Sequence, residues 1–135
     1  MPPACAEGFE RTRGEYFAYL GSDDLWLPDF LDARVRLLEA RAGAVLAYGH
    51  AYFIDEQNHI VDSTADWASY ADGNAQEMLL QTTAPMSPTV LYRREGLEQH
   101  RWNEDSKLED YDLYLRLSNE EIGRASCRER VYSSV

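Results

Sequence analysis

The sequence has little basic charge for its size. Lys and Arg together number 13 against 24 Asp and Glu, which gives a net charge of −11 over 135 residues. Proteins that follow a nucleic-acid backbone carry a basic patch, so this balance argues against nucleic acid as a partner. An acidic site that handles phosphate groups needs a cation to hold them.

Cysteines and long apolar runs are also scarce. Cys5 and Cys127 are far apart and form neither a C-x-x-C motif nor a Cys/His cluster, so neither a zinc site nor a structural disulfide is predicted. No apolar run approaches the roughly 18 residues of a membrane span, and the N-terminus lacks the apolar core of a signal peptide. We expect a cytoplasmic protein, either soluble or peripheral at the cytoplasmic face of a membrane.

Several catalytic and phosphate-binding motifs are missing. The sequence contains no Walker A loop, G-x-G-x-x-G, G-x-S-x-G or H-E-x-x-H motif. The acidic stretch 62–73 is not an EF-hand loop, because Trp67 occupies the position that needs glycine and Gly73 the position that needs glutamate. Nucleophilic catalysis therefore has no candidate residue.

An acidic stretch follows the first predicted strand. Residues 16–20 are rich in residues that favour strands, and they lead into Gly21, Ser22, Asp23 and Asp24. Ligands of open α/β sheets bind beyond the carboxyl ends of strands, so Asp23 and Asp24 form a candidate metal site. Aspartates are also common in turns and helix caps, and that alternative stays open.

The length and the 44% hydrophobic content suit one globular domain of the α/β class. Apolar residues with helical spacing and runs of β-prone residues alternate along the chain. The predicted elements are a short helix over 6–13, a strand over 16–20, a helix over 28–42, a strand over 45–54 with a hairpin return at Ile60, a loop over 62–74, a helix over 75–81, a strand over 89–92 and a helix over 93–99.

A second acidic cluster lies about 85 residues after the first. Ser106 and Glu109 have the spacing of a capping box, which predicts a helix that begins near Ser106. Asp110 is turned away from the apolar face of that helix, so it is the better candidate for a general base, whereas Glu109 already has a capping role. Trp26, close to the first cluster, is either a packing residue or a platform for a sugar ring.

Three stretches resemble family 2 glycosyltransferases in the order that the family has them: RGEYFAYLGSDDLW at 13–26, SPTVLYRR at 87–94 and LEDYDLYLRL at 108–117. The resemblance implies a partial GT-A fold, the α/β Rossmann-type sandwich of nucleotide-diphospho-sugar transferases, without its first strands. It also implies an inverting, metal-dependent transfer, of the hexosyltransferase type, from a nucleotide sugar to a hydroxyl of a saccharide or lipid-linked acceptor.

The resemblance also implies roles for individual residues. Asp23 matches the family's metal-binding aspartate, with Asp24 beside it, and these two would hold Mn²⁺ or Mg²⁺ on the diphosphate of the donor. Trp26 joins them in the donor-binding set. Asp110 matches the catalytic base, with Glu109 as its neighbour.

Two departures from the family pattern leave alternatives open. Gly21 stands where the family usually carries aspartate, and the strands that form the nucleotide-base pocket would precede residue 1. We expect the 135-residue chain alone to be inactive. The alternatives are a non-catalytic carbohydrate- or partner-binding module with a degenerate metal site, and another metal-dependent nucleotide-processing enzyme.

The last residues have a different character. The stretch EIGRASCRERV at 121–131 resembles the conceptual translation of a sequencing-library adapter. We therefore predict a partial glycosyltransferase domain over 1–120 and a non-native tail over 121–135, and we exclude that tail from the predicted fold.

Overall fold

The computed structural model describes residues 3–68, 86–99, 113, 114, 117 and 124–132, with the backbone alone for 3–6 and 124–132. Its elements follow in chain order: α1 (Pro3–Arg11), β1 (Tyr16–Ala18), α2 (Phe30–Ala40), β2 (Ala44–Ile54), β3 (Ile60–Ser63), a 3-10 turn (Thr64–Asp66), a second 3-10 turn (Ser87–Thr89), β4 (Leu91–Arg93), α3 (Arg94–Gln99) and β5 (Arg124–Tyr132).

The strands form one mixed sheet with β2 at its centre. The antiparallel pairs follow the order β1-β4-β2-β3, and β5 pairs with β2 in parallel. A strand has two edges, and β5 pairs along β2 from Ala44 to Tyr52. Consequently β4, paired at 46–47, and β3, paired at 52–54, share the other edge of β2.

Helix α2 covers one face of this sheet. Leu38 of the helix packs in a buried cluster with Ala44 and Ala47 of β2 and Leu91 of β4. The small alanines let the helix approach the sheet closely, and the burial of these apolar groups stabilises the layer.

The opposite face is aromatic. Phe17 of β1 lies directly across from Tyr92 of β4, so both rings are on the same side of the sheet. Phe9 of α1 meets Phe17 edge-to-face at 5.4 Å between ring centroids, and Tyr114 stacks on Tyr92 at 6.4 Å. Helix α1 and the helical residues around Tyr114 therefore lie on the face away from α2.

Most predicted elements that fall on described residues are confirmed. The structure contains the helices predicted over 6–13, 28–42 and 93–99 and the hairpin of β2 and β3, each with ends shifted by a few residues. The turn of that hairpin contains Asn58 in the left-handed region at φ 64°, a conformation that asparagine tolerates. The helix over 75–81 lies outside the described residues. Of the helix predicted from Ser106, the three described residues are helical and buried: Leu113, Tyr114 and Leu117.

Two boundary predictions are wrong. The loop expected over 62–74 begins with residues of β3, and Thr64 then opens a 3-10 turn capped by the Ser63 hydroxyl, which accepts from the Ala65 N–H. Thr89 was predicted in a strand, but it belongs to a 3-10 turn because its N–H bonds to the Met86 carbonyl. In both places a side-chain hydroxyl or a proline favours a local turn over the hydrogen bonds of a β-strand pair.

The buried side of α2 also differs from the predicted stripe. Leu27, Leu31, Val35 and Leu38 have the spacing of one helical face, which predicts Leu31 on the core side, but Leu31 is 50% exposed. The buried side consists of Phe30, Arg34 and Leu38, spaced four residues apart. The helix is rotated because the planar guanidinium of Arg34 takes a place in the protein interior that the pattern assigns to an aliphatic side chain.

The segment that was excluded from the predicted fold forms β5. Its backbone runs parallel to β2 from the Ala44–Arg124 pair to the Tyr52–Tyr132 pair, with two register shifts. The foreign origin of residues 121–135 stays a prediction. None of the described helices is long and apolar enough to cross a membrane.

Candidate functional site

The first acidic cluster forms a turn just beyond the end of β1. The strand ends at Ala18, and the Asp24 N–H bonds to the Gly21 carbonyl at 3.2 Å, which closes the turn. Asp23 is exposed and Asp24 is half-buried. The two carboxylates thus lie on a surface turn at the carboxyl end of a sheet strand, the location where α/β sheets bind ligands.

Gly21 leaves the space into which both carboxylates bend. A Cβ atom at this position would lie 2.7 Å from Asp24 Oδ2 and 3.4 Å from Asp23 Oδ1. The two side chains therefore converge on the same side of the turn, over a residue that has no side chain. Carboxylate oxygens are the donors that a hard divalent cation prefers, so Asp23 and Asp24 are the candidate residues for holding Mn²⁺ or Mg²⁺ here.

Trp26 connects this acidic turn to a distant part of the chain. Its indole Nε1 donates to the Pro88 carbonyl at 2.8 Å. The indole ring stacks on Phe30 with 4.3 Å between centroids and 5° between planes. One face of the indole is therefore covered by protein, and its only N–H group is already used in a hydrogen bond.

Arg34 continues the stack from the other side of Phe30. Its guanidinium carbon lies 4.7 Å from the centroid of the Phe30 ring, and its Nε donates to the Thr89 carbonyl at 2.9 Å. The Arg34 side chain is fully buried. We refer to Trp26, Phe30 and Arg34 as the planar stack.

The planar stack holds a turn that is also closed by its own hydrogen bonds. Both the N–H and the hydroxyl of Thr89 donate to the Met86 carbonyl, at 2.9 and 2.7 Å. Thr89 is fully buried, and Pro88 favours the first residues of the 3-10 turn. The carbonyls of Pro88 and Thr89 thus face the stack as fixed acceptors.

The structure brings two of the three predicted motifs together. The acidic stretch and residues 87–89 are joined through the planar stack, whereas Glu109 and Asp110 lie outside the described residues. His50 lies in β2 with its Nδ1 3.0 Å from the Thr64 hydroxyl oxygen. Over 3–68 and 86–99 no three His, Cys, Asp or Glu side chains come together as a metal cluster.

Arg34 is a member of the planar stack that none of the sequence motifs predicts. Its signal was the spacing of Trp26, Phe30 and Arg34 at intervals of four residues, which places three planar groups on one side of a helix and the turn before it. An aliphatic stripe was the more obvious pattern, since arginine rarely becomes fully buried.

A glycosyl transferase family 2 model matches residues 2–101. The match covers most of the chain and includes both the acidic turn and the turn at 87–89. The chain belongs to glycosyltransferase family 2. Glu109 and Asp110 follow the matched region.

Two similar proteins agree with this assignment. The chain is 25% identical over 106 residues to an uncharacterized glycosyltransferase of Methanocaldococcus jannaschii, MJ1057, in an alignment that covers 78% of the chain and 36% of that protein. A crystal structure of S. aureus TarS 1–349 superimposes with a TM-score of 0.62 at 16% identity, over 95% of this chain and 38% of that crystallised chain. The predicted partial GT-A-like fold is confirmed, and the chain spans little more than a third of either protein.

Proposed function

We propose that this chain is part of an inverting, metal-dependent glycosyltransferase that moves a sugar from a nucleotide-sugar donor to a hydroxyl acceptor. The observation that carries the proposal is the family match over 2–101 together with the pair of carboxylates at the carboxyl end of β1. Family 2 enzymes use nucleotide sugars, and many of them use a divalent ion, which suits a protein with a net charge of −11.

Asp23 and Asp24 would hold the ion, because their carboxylates converge over Gly21. A bound Mn²⁺ or Mg²⁺ supplies positive charge that offsets the diphosphate of the donor and stabilises the leaving nucleotide. The chain's own contribution is to present these oxygens on a turn fixed to the sheet. Trp26 lies two residues further on, and we assign it to the same donor site.

Asp110 is proposed as the general base on the strength of the sequence resemblance. Its carboxylate would accept the proton of the acceptor hydroxyl as the hydroxyl oxygen attacks the anomeric carbon. The bond to the nucleotide breaks on the opposite face of the sugar, so the anomeric configuration inverts. Glu109 would stay at the helix start, where its capping spacing places it.

The acceptor is proposed to be a saccharide or a lipid-linked sugar, modified in the cytoplasm or at the cytoplasmic face of a membrane, and the transferred sugar a hexose. The chain alone is expected to be inactive, because it spans only 36% of one relative and 38% of the other.

The test is a transfer assay on the longest protein that the source gene encodes. The protein is incubated with Mn²⁺, a panel of nucleotide sugars and mixed saccharide acceptors, and the product anomer is read by NMR. The proposal expects Mn²⁺-dependent transfer with an inverted anomer. A product of retained configuration contradicts the mechanism, and metal-dependent nucleotide hydrolysis that leaves the sugar on phosphate identifies another nucleotide-processing enzyme. If the protein binds saccharide without metal and transfers nothing, it is a non-catalytic module.

A further inference from the structure

The residue order places the planar stack directly beside the acidic turn. Trp26 is two residues from Asp24, and the chain enters α2 at Phe30. The segment between the turn and the helix, residues 25–29, carries Leu25 with 52% exposure and exposed Pro28 and Asp29. Within this segment Trp26 is half-buried and stacks on Phe30, so the position of the segment depends on the contacts of Trp26.

Trp26 and Arg34 both bond to the turn at 87–89. The indole N–H donates to the Pro88 carbonyl, and the Arg34 Nε donates to the Thr89 carbonyl. Phe30 fills the space between them and contacts both, at 4.3 Å from the indole and 4.7 Å from the guanidinium carbon. Two adjacent carbonyls of one hydrogen-bonded turn therefore receive two donors whose side chains both contact the Phe30 ring.

The complete burial of Arg34 also bears on how the planar stack is attached to the turn at 87–89. A fully buried guanidinium is costly unless its hydrogen bonds and its surroundings compensate for lost hydration. Here the guanidinium lies against an aromatic face, where a cation is attracted to the ring, and it donates to a backbone carbonyl in the protein interior. An aliphatic side chain at position 34 would leave the Thr89 carbonyl without this donor.

We propose that Trp26 and Arg34 are positioning residues that lock the acidic turn to the Ser87–Thr89 turn and so set where Asp23 and Asp24 present their carboxylates. This inference rests on the proposed function, because it assigns the stack a task at the proposed metal site. Arg34 touches neither the cation nor the donor, and Trp26 acts as a positioning residue through its indole N–H and the face stacked on Phe30. Phe30 serves as the spacer that keeps their two donor groups at the right separation.

The main test uses Trp26→Phe in the 135-residue chain. This change keeps an aromatic ring for Phe30 but removes the indole N–H. Hydrogen exchange of the peptide that covers 20–28 is measured by mass spectrometry, relative to the amides of β2 in the same protein. We expect exchange in the acidic turn to accelerate by about three- to tenfold, the range for one lost hydrogen bond. Mn²⁺ binding, measured by electron paramagnetic resonance with Mn²⁺ alone, should weaken in parallel.

Two control variants separate positioning from stability. Trp67→Phe makes the same chemical change at a tryptophan that is 61% exposed and stacks on Phe53, away from the acidic turn. Leu38→Val lowers global stability through the buried core but leaves the planar stack intact. In both controls, the hydrogen-exchange rate of the 20–28 peptide relative to the amides of β2 should be the same as in the unaltered chain. The Mn²⁺ affinity should also be unchanged.

Arg34→Lys provides a second, independent variant. Lysine keeps the charge but loses the planar face and the fixed direction of Nε, so it should reproduce the effect of Trp26→Phe on the acidic turn. Unchanged relative exchange of 20–28 in Trp26→Phe would overturn the inference, as would an equal loss of Mn²⁺ affinity in Leu38→Val. If the unaltered chain binds no Mn²⁺, the metal site of the proposed function is contradicted, while the exchange data still decide whether the stack locks the turn.

Discussion

At the scale of single residues, Gly21 illustrates how a departure from a family pattern can be read physically. A glycine where aspartate is usual removes one carboxylate, which on its own suggests a weakened site. The geometry adds that the Asp24 carboxylate bends over this glycine, with Oδ2 only 2.7 Å from where a Cβ would be. The absence of a side chain at position 21 therefore leaves the space that the Asp24 carboxylate occupies beside Asp23.

The position of the Asp24 carboxylate over Gly21 predicts the effect of Gly21→Ala. The new methyl group meets the flexible end of Asp24 and no backbone atom among its nearest contacts, so the fold should tolerate it, with stability changed by no more than about 0.5 kcal/mol. The Asp24 carboxylate must move away, and Mn²⁺ affinity should fall severalfold. Titration with Mn²⁺ and thermal unfolding check both parts.

Gly43→Ala is the matched control for that experiment, because a Cβ at Gly43 meets nothing within 4 Å. It should leave Mn²⁺ affinity unchanged. Equal affinities in Gly21→Ala and Gly43→Ala would show that the space above Gly21 has no part in metal binding.

At the scale of elements, Arg93 joins β4 to the end of α2. Its guanidinium donates to the carbonyls of Leu38 and Arg41 at 2.6 and 3.4 Å, and its Nε donates to the Ala44 carbonyl at 2.8 Å. The last carbonyls of a helix lack partners within the helix, and a cation there also suits the helix dipole. One strand residue thus fixes the turn between α2 and β2.

We predict that Arg93→Met destabilises the chain by about 2 kcal/mol, since several charge-assisted hydrogen bonds to backbone carbonyls are lost at once. Arg36→Met is the control: Arg36 is 78% exposed and pairs with Asp32 within the same helix, so its loss should cost about 0.5 kcal/mol or less. Urea unfolding of the two variants measures the difference. Similar losses in both would mean that Arg93 does not fix this turn.

The elements also show what the sequence could and could not predict. Helix α2 and the β2–β3 hairpin follow from local patterns, namely apolar spacing and a polar turn that contains Asn58. The rotation of α2 toward Arg34 could not be predicted in that way, because it depends on the Thr89 carbonyl, 55 residues further along the chain. The acidic turn was located correctly from the strand that precedes it, but its attachment through Trp26 to Pro88 is a tertiary contact with no local signal.

At the scale of the whole molecule, the described residues form a sheet with α2 on one face and an aromatic layer on the other, and the acidic turn lies just beyond the end of β1. The chain covers little more than a third of either similar protein. We therefore propose that the remaining parts of the donor and acceptor sites come from regions that these relatives possess in addition.

The proposed adapter origin of 121–135 is tested by a genomic read across residue 120, and an uninterrupted read through Val135 would reject it.

The proposed roles of the second acidic cluster are also tested in the longest protein that the gene encodes. Asp110→Asn should lower turnover by about 100-fold or more, the lower end of what a general base contributes, with little change in donor KM. Glu109→Gln should have a much smaller effect, since an amide still supports a capping box. Steady-state kinetics of both variants measure the two effects on turnover. A larger loss of turnover in Glu109→Gln than in Asp110→Asn would contradict the assignment of Asp110 as the general base.

The central claim is that Asp23 and Asp24 bind the donor through a divalent cation. Calorimetric titration of the longest encoded protein with a panel of nucleotide sugars, with and without Mn²⁺, measures this directly, and Asp23→Asn serves as the paired variant. The account predicts that at least one nucleotide sugar binds only with Mn²⁺ present and that Asp23→Asn abolishes this dependence. Donor binding of equal affinity with and without Mn²⁺, unchanged in Asp23→Asn, would contradict it.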